Sequence, residues 1–285
     1  MSSTQQQGVS NLLKRLRPPE GQALVWWLID MQRGWLAQII AFALFLLAFR
    51  FIFAWSWSMA VAMLLSMFLH ECGHAFVFWR AGIRFNILFL FPLGAVAAPI
   101  NQEENARSDE LHWNTISWLL QAGPAVNVAL MLVGVVGQNL SAAPEISQFA
   151  RDLIYVNGLL ASMNLVPLWT LDAGQLFKVI YSSLNEQEDT VVTGALLVTS
   201  VVVLLFVLRI PGFVSWAIIA ANLLSRLGWV IFLFFFAIGI LNKQAHDNPA
   251  HAQSKQAMSN GQVAVQVIVY LSLVGLTLWM FAGAL

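Results

Sequence analysis

Residues 57–79 read Trp57-Ser58-Met59-Ala60-Val61-Ala62-Met63-Leu64-Leu65-Ser66-Met67-Phe68-Leu69-His70-Glu71-Cys72-Gly73-His74-Ala75-Phe76-Val77-Phe78-Trp79. An apolar run of this length is what a bilayer-crossing helix needs, about 20 residues. Two histidines and a glutamate interrupt its later half. Ionisable groups are costly in lipid, so their presence there asks for a function or a partner. The whole chain fits this setting: of 285 residues 59% are hydrophobic and 10% charged, and the mean hydropathy is +0.73. Soluble domains carry about 25% charged residues, so an ordinary cytosolic enzyme is excluded. The net charge is zero, which leaves no basic field for nucleic acid. The single cysteine, Cys72, excludes a disulfide framework and any multi-cysteine metal site.

Further apolar runs at 35–53, 114–136, 153–181, 191–208, 213–241 and 263–285 predict an all-α polytopic membrane protein with six or seven transmembrane helices. The count depends on whether 213–241, which carries Ser225-Arg226 in its middle, is one tilted helix or two pieces. Residues 1–34 are expected as a polar tail followed by a short interfacial helix at 23–34, residues 35–241 as the membrane-embedded core, and residues 242–262 as a cytoplasmic linker before the last span. Lys and Arg set orientation. Ten of the fourteen (Lys14, Arg15, Arg17, Arg33, Arg80, Arg84, Arg107, Lys178, Lys243 and Lys255) fall inside if the N-terminus is cytoplasmic, against Arg50, Arg151 and Arg209 outside. The expected setting is a bacterial cytoplasmic membrane. One connection, 81–112, is long and partly apolar. Ile83-Arg84-Phe85-Asn86-Ile87 alternates with period two, and Leu88 to Val96 follows as an apolar run, so strand-like, membrane-embedded backbone is expected there. Such backbone survives at membrane depth only beside protein or a wet cavity.

His70-Glu71-Cys72-Gly73-His74 is an HExxH pattern. Histidines at i and i+4 share a helix face, with side chains about 5–6 Å apart, and so can hold one zinc ion through two ring nitrogens. Glu71 then stands beside the remaining coordination position, where zinc brings the pKa of water to about 7 and a carboxylate can accept its proton and pass it to a leaving amine. Zinc is therefore the expected cofactor. Gly73 leaves room for close approach of another helix. A third ligand is needed. Asp172, in Asn164-Leu165-Val166-Pro167-Leu168-Trp169-Thr170-Leu171-Asp172-Ala173-Gly174, is the other carboxylate predicted deep in a span. Pro167 and Ala173-Gly174 are expected to break the helix locally and let Asp172 reach the metal; the bland alternative is a kinked packing helix with a hydrogen-bonded Asp. A second choice takes the third ligand from Glu103, Glu104 or Glu110, which otherwise read as a solvated charged loop. Asn127, in Gly123-Pro124-Ala125-Val126-Asn127, is a buried amide that could donate to an oxyanion or simply hold two helices together.

The pairing of HExxH with a later Asn164…Pro167…Leu171-Asp172 resembles the site-2 protease family of intramembrane zinc metalloproteases, over residues 57 to 182. The resemblance implies that His70, His74 and Asp172 hold zinc and that Glu71 is the general base. It further implies that Gly123 and Asn127 lie near the site, that Asn164 assists substrate or oxyanion binding, and that the segment around Phe91-Pro92-Leu93-Gly94-Ala95-Val96 lies near bound substrate. The implied substrate is a transmembrane protein, cut after an earlier protease, and the expected form is a minimal member without PDZ or regulatory domain. Ala173 departs from the family pattern, which has Gly there. The competing class is a catalytically silent zinc-binding membrane protein or a metal transporter.

Overall fold

A computed structural model describes residues 34–90, 94–140, 143–167, 171–185 and 257–282. In chain order these form α1 (Trp35–Leu47) with a π-helical turn (Ala48–Ile52), α2 (Trp57–Arg80), β1 (Phe85–Leu90), β2 (Gly94–Pro99), α3 (Gln102–Asp109), α4 (Trp113–Leu140), α5 (Pro144–Leu165), α6 (Asp172–Asn185) and α7 (Asn260–Ala282). The expected interfacial helix up to residue 33, the runs at 191–208 and 213–241 and residues 242–256 of the expected linker lie outside the described residues, and the last three residues of that linker, 260–262, are already helical.

Four described helical stretches are long and apolar enough to cross a membrane: Trp35–Ile52, Trp57–Arg80, Trp113–Leu140 and Asn260–Met280. They carry large apolar side chains outward, among them Trp35, Phe51, Phe76, Val133, Leu140, Ile268 and Trp279. Water would penalise such a surface, whereas lipid suits it. Inward, Val128 and Met131 of α4 meet Ile154, Ala161 and Leu165 of α5 and Leu273 and Met280 of α7. Ala62 and Met63 of α2 meet Leu153 and Val156 of α5. The two clusters place α4 and α5 at the centre, with α2 on one side and α7 on the other.

The strand-like expectation takes the form of an antiparallel hairpin, with register from Phe85↔Pro99 to Leu90↔Gly94. Gly94 sits at φ +130, a backbone state that side chains rarely adopt. Phe89 of β1 packs with Phe45 of α1 and Leu64 of α2, so the hairpin lies against both helices. From α1, Gln38 holds the outer edge of β1: Phe89 N–H donates to Gln38 Oε1 at 2.7 Å, and Gln38 Nε2 donates to Phe89 O at 3.3 Å.

Three expectations need correction. The run at 153–181 is not one span. The helix starts earlier, with Pro144 in its first turn, ends at Leu165, and resumes at Asp172. Val166 is extended (ψ 130) because the ring of Pro167 disfavours the helical state of the residue before it. Tyr270 of α7 donates to Leu165 O at 2.7 Å, satisfying a carbonyl that the break leaves open. The break thus lies before Asp172, while Ala173 and Gly174 are helical rather than a loosened stretch. The second correction concerns the connection between α4 and α5, which spans only 141–143 rather than the 137–152 suggested by hydropathy. Finally, residues 102–109 are helical and not a solvated loop. Asn101 caps the helix by accepting from Glu104 N–H at 2.8 Å. Glu104 is buried, accepting from Arg84 Nε (2.8 Å), Arg84 N (3.1 Å) and Arg107 Nη1 (3.1 Å). Its carboxylate ties α3 to the start of β1 and has no part in a metal site. Glu103 and Glu110 are exposed.

Candidate metal centre

The HExxH helix brings His70 and His74 onto one face, and their Nε2 atoms stand 3.0 Å apart. Asp172, the first residue of α6, places Oδ2 at 3.3 Å from His70 Nε2 and 3.5 Å from His74 Nε2. Ligands about 2.0–2.1 Å from a tetrahedral zinc ion stand about 3.3 Å from one another. The triangle of two nitrogens and one oxygen therefore has the edge lengths of a zinc face. Two further observations fit a cation. Asp172 Oδ2 is buried without a hydrogen-bond partner, an arrangement that needs compensation. The space in front of the rings is kept clear by Gly123, whose Cβ, if present, would fall 2.6 Å from His70 Nε2 and Cε1 and against His74 Nε2.

Each imidazole is oriented from behind. His74 Nδ1 lies 2.7 Å from Leu119 O. A carbonyl only accepts, so Nδ1 carries the proton and Nε2 presents its lone pair. His70 Nδ1 lies 2.6 Å from Asn127 Oδ1, with the same outcome. Such backing partners fix ring direction and strengthen the ligand. The close approach of α2 and α4 depends on Gly73, where a Cβ would fall 2.5 Å from Ala122 O.

Glu71 is buried beside the pair. Its ligand-type oxygen lies within 4.8 Å of those of both histidines, and Oε2 accepts from Ala97 N–H of β2 at 2.7 Å. This bond aims the carboxylate and joins the active helix to the hairpin edge.

Asn127 is completely buried, with Oδ1 engaged by His70 and Nδ2 donating to Asn157 Oδ1 at 2.9 Å. Its amide stands behind the His70 ring, with the oxygen on that ring and the nitrogen on Asn157. Asn164 donates from Nδ2 to Leu160 O on its own helix at 3.1 Å and makes no described hydrogen bond to the histidines or Asp172. Sequence reasoning missed Asn157 and Ser66. Asn157 Nδ2 donates to Ser66 Oγ (2.8 Å) and to Leu153 O (2.9 Å). The signal was available, since a buried amide within an apolar run asks for a partner just as a charge does. Asp152, expected at a loop, is buried in α5 and accepts from Gln148 Nε2 at 2.9 Å.

A comparison with protein-family models meets this same segment. The family model described as Peptidase family M50 matches residues 58–152. A zinc metalloprotease of Methanocaldococcus jannaschii is 27% identical over 124 residues, 42% of this chain and 33% of that protein. The match thus spans about a third of the length of that relative. The matched segment carries His70, Glu71, His74, Gly123 and Asn127, and Asp172 closes the same centre from outside it. In residues 58–152, the segment that carries HExxH, the chain is thus similar to peptidase family M50, the site-2 protease family.

Proposed function

We propose that the chain is a zinc metalloendopeptidase that hydrolyses peptide bonds within or near transmembrane segments of membrane-protein substrates. The observation that carries this reading is the convergence of His70 Nε2, His74 Nε2 and Asp172 Oδ2, with the Glu71 carboxylate beside them, on helices clad in apolar side chains. His70, His74 and Asp172 would hold the ion. Zinc, when bound, supplies Lewis acidity and an acidified water. Glu71, aimed by Ala97 N–H, accepts the water's proton and returns it to the departing amine. The triangle leaves one coordination position for water or substrate, as catalytic zinc sites do.

A helical substrate hides its carbonyls in i→i−4 bonds and must unwind before attack. The hairpin offers a place for the extended chain. Ala97 turns its N–H away from β1 and towards Glu71, so a peptide lying along this side of β2 would pass beside the proton acceptor, its hydrogen bonds partly replaced by strand pairing. On this reading the chain has six or seven spans with the N-terminus cytoplasmic, the centre nearer the cytoplasmic leaflet, and an earlier-acting protease prepares the substrate. The test is cleavage of a single-span reporter by purified protein in bilayers, wild type beside Glu71→Gln. Cleavage that is zinc-dependent and absent in the variant supports the reading. Zinc-loaded wild type that cleaves none of a panel of such reporters favours a silent binding protein or transporter instead.

A further inference from the structure

We infer that Asn157 is a positioning residue for the metal centre: acting through Asn127, it sets which nitrogen of His70 carries the proton and so keeps Nε2 open as a ligand. The inference rests on the zinc reading of His70, His74 and Asp172, but not on proteolysis. The direction of the relay follows from its far end. Leu153 O can only accept, so the Asn157 atom 2.9 Å from it is the amide nitrogen, which also reaches Ser66 Oγ at 2.8 Å. Asn157 Oδ1 therefore faces Asn127, and the Asn127 atom 2.9 Å away is its nitrogen. That turns Asn127 Oδ1 to His70 Nδ1 at 2.6 Å, where only an N–H fits. Both asparagines are completely buried, so water cannot satisfy a reversed amide.

The two imidazoles are thus held by different devices. His74 is fixed by a backbone carbonyl, which cannot turn round. His70 is fixed by a side-chain amide, which can. Without Asn157, Asn127 is free to rotate by half a turn and present its NH2 to His70. The ring then places its proton on Nε2, the atom that must ligate.

The experiment measures zinc affinity of the purified full chain by chelator competition, with the visible spectrum of the Co(II)-substituted protein as a second readout of ligand geometry. Asn157→Leu should weaken zinc by roughly 10–100-fold, the range for partners behind a ligating histidine, and shift the cobalt bands. Adding Asn127→Asp to that variant should restore both. Either carboxylate oxygen accepts from Nδ1–H, so no wrong orientation exists, whereas a packing role for Asn157 gains nothing from the change. Should the leucine variant not fold, Asn157→Ala carries the same expectation and the same rescue. Wild-type affinity in the Asn157 variants, or a loss that Asn127→Asp does not repair, overturns the relay. Wild type that binds zinc but cleaves no peptide, together with the loss and rescue above, overturns the proteolytic reading and supports the relay.

Discussion

Gly123→Ala tests the cradle in front of the histidines. The added Cβ would lie 2.6 Å from His70 Nε2 and closer still to His74 Nε2. Ordinary contact between such atoms is about 3.5 Å, so the His70 ring would have to retreat by about 0.9 Å and the His74 ring by more, or the helices would have to part. Neither ring can swing aside cheaply, because each is pinned at Nδ1, His70 by Asn127 and His74 by Leu119 O. Metal–ligand distances tolerate about 0.2 Å, so the displacement is several times what coordination allows. We expect zinc affinity to fall by at least about 100-fold, about 2.7 kcal/mol, with helix content retained. The assay is zinc per chain after purification and a chelator titration, beside circular dichroism. A folded Gly123→Ala protein that holds zinc as tightly as wild type would refute the placement of the ion between these rings. Gly73→Ala is the companion. Its Cβ meets the backbone of Ala122 and Gly123 at 2.5–3.0 Å, so it forces α2 and α4 apart and should lower stability by about 1–3 kcal/mol, read as a lower melting temperature of the metal-free chain.

Further expectations follow from the same geometry. Glu71→Gln should leave zinc stoichiometry unchanged while cleavage falls by at least about 100-fold; residual cleavage near the wild-type rate would remove Glu71 from proton transfer. Ala97→Pro deletes the N–H that Glu71 accepts while sparing the β1–β2 ladder, since that N–H points away from β1. Cleavage should slow by roughly tenfold with zinc retained, the loss of one charge-assisted hydrogen bond, and an unchanged rate would show that this bond does not aim the carboxylate. At Glu104, the guanidinium and backbone N–H of Arg84 hold the carboxyl below its ordinary value of 4.5. Its contribution to stability is therefore present above that value and lost as pH falls through the lower folded-state one. Thermal unfolding against pH should show an acid-side decline that Glu104→Gln reduces, and identical profiles would remove Glu104 from acid unfolding.

The length of the apolar run around His70 and the spacing of His70 and His74 were sufficient to anticipate a helix with two ligands on one face, because a span of that length is helical and i, i+4 residues share a helix face. Asp172 was readable as a member of the cluster because a carboxylate predicted in an apolar run has few places to go. The point at which α5 ends was misread: hydropathy runs smoothly from Leu153 to Tyr181, and only the restriction that Pro167 places on Val166 marks the break. Glu104 was misread for the opposite reason. Its neighbours are polar, and nothing local shows that Arg84, twenty residues earlier, seals it. The amide relay behind His70 joins residues 66, 127 and 157 on three helices. Their alignment is a product of helix packing, set by Gly73 and by the contacts of α4 with α5, and no local pattern encodes it.

Zinc K-edge X-ray absorption of the loaded protein, wild type beside Asp172→Ala, reads the inner coordination shell itself. Two imidazole nitrogens with oxygen donors at about 2.0–2.1 Å and no sulfur, and a changed shell or lost ion in the variant, is the expected result. A sulfur ligand at about 2.3 Å, or a spectrum identical in both proteins, would contradict a centre built from His70, His74 and Asp172.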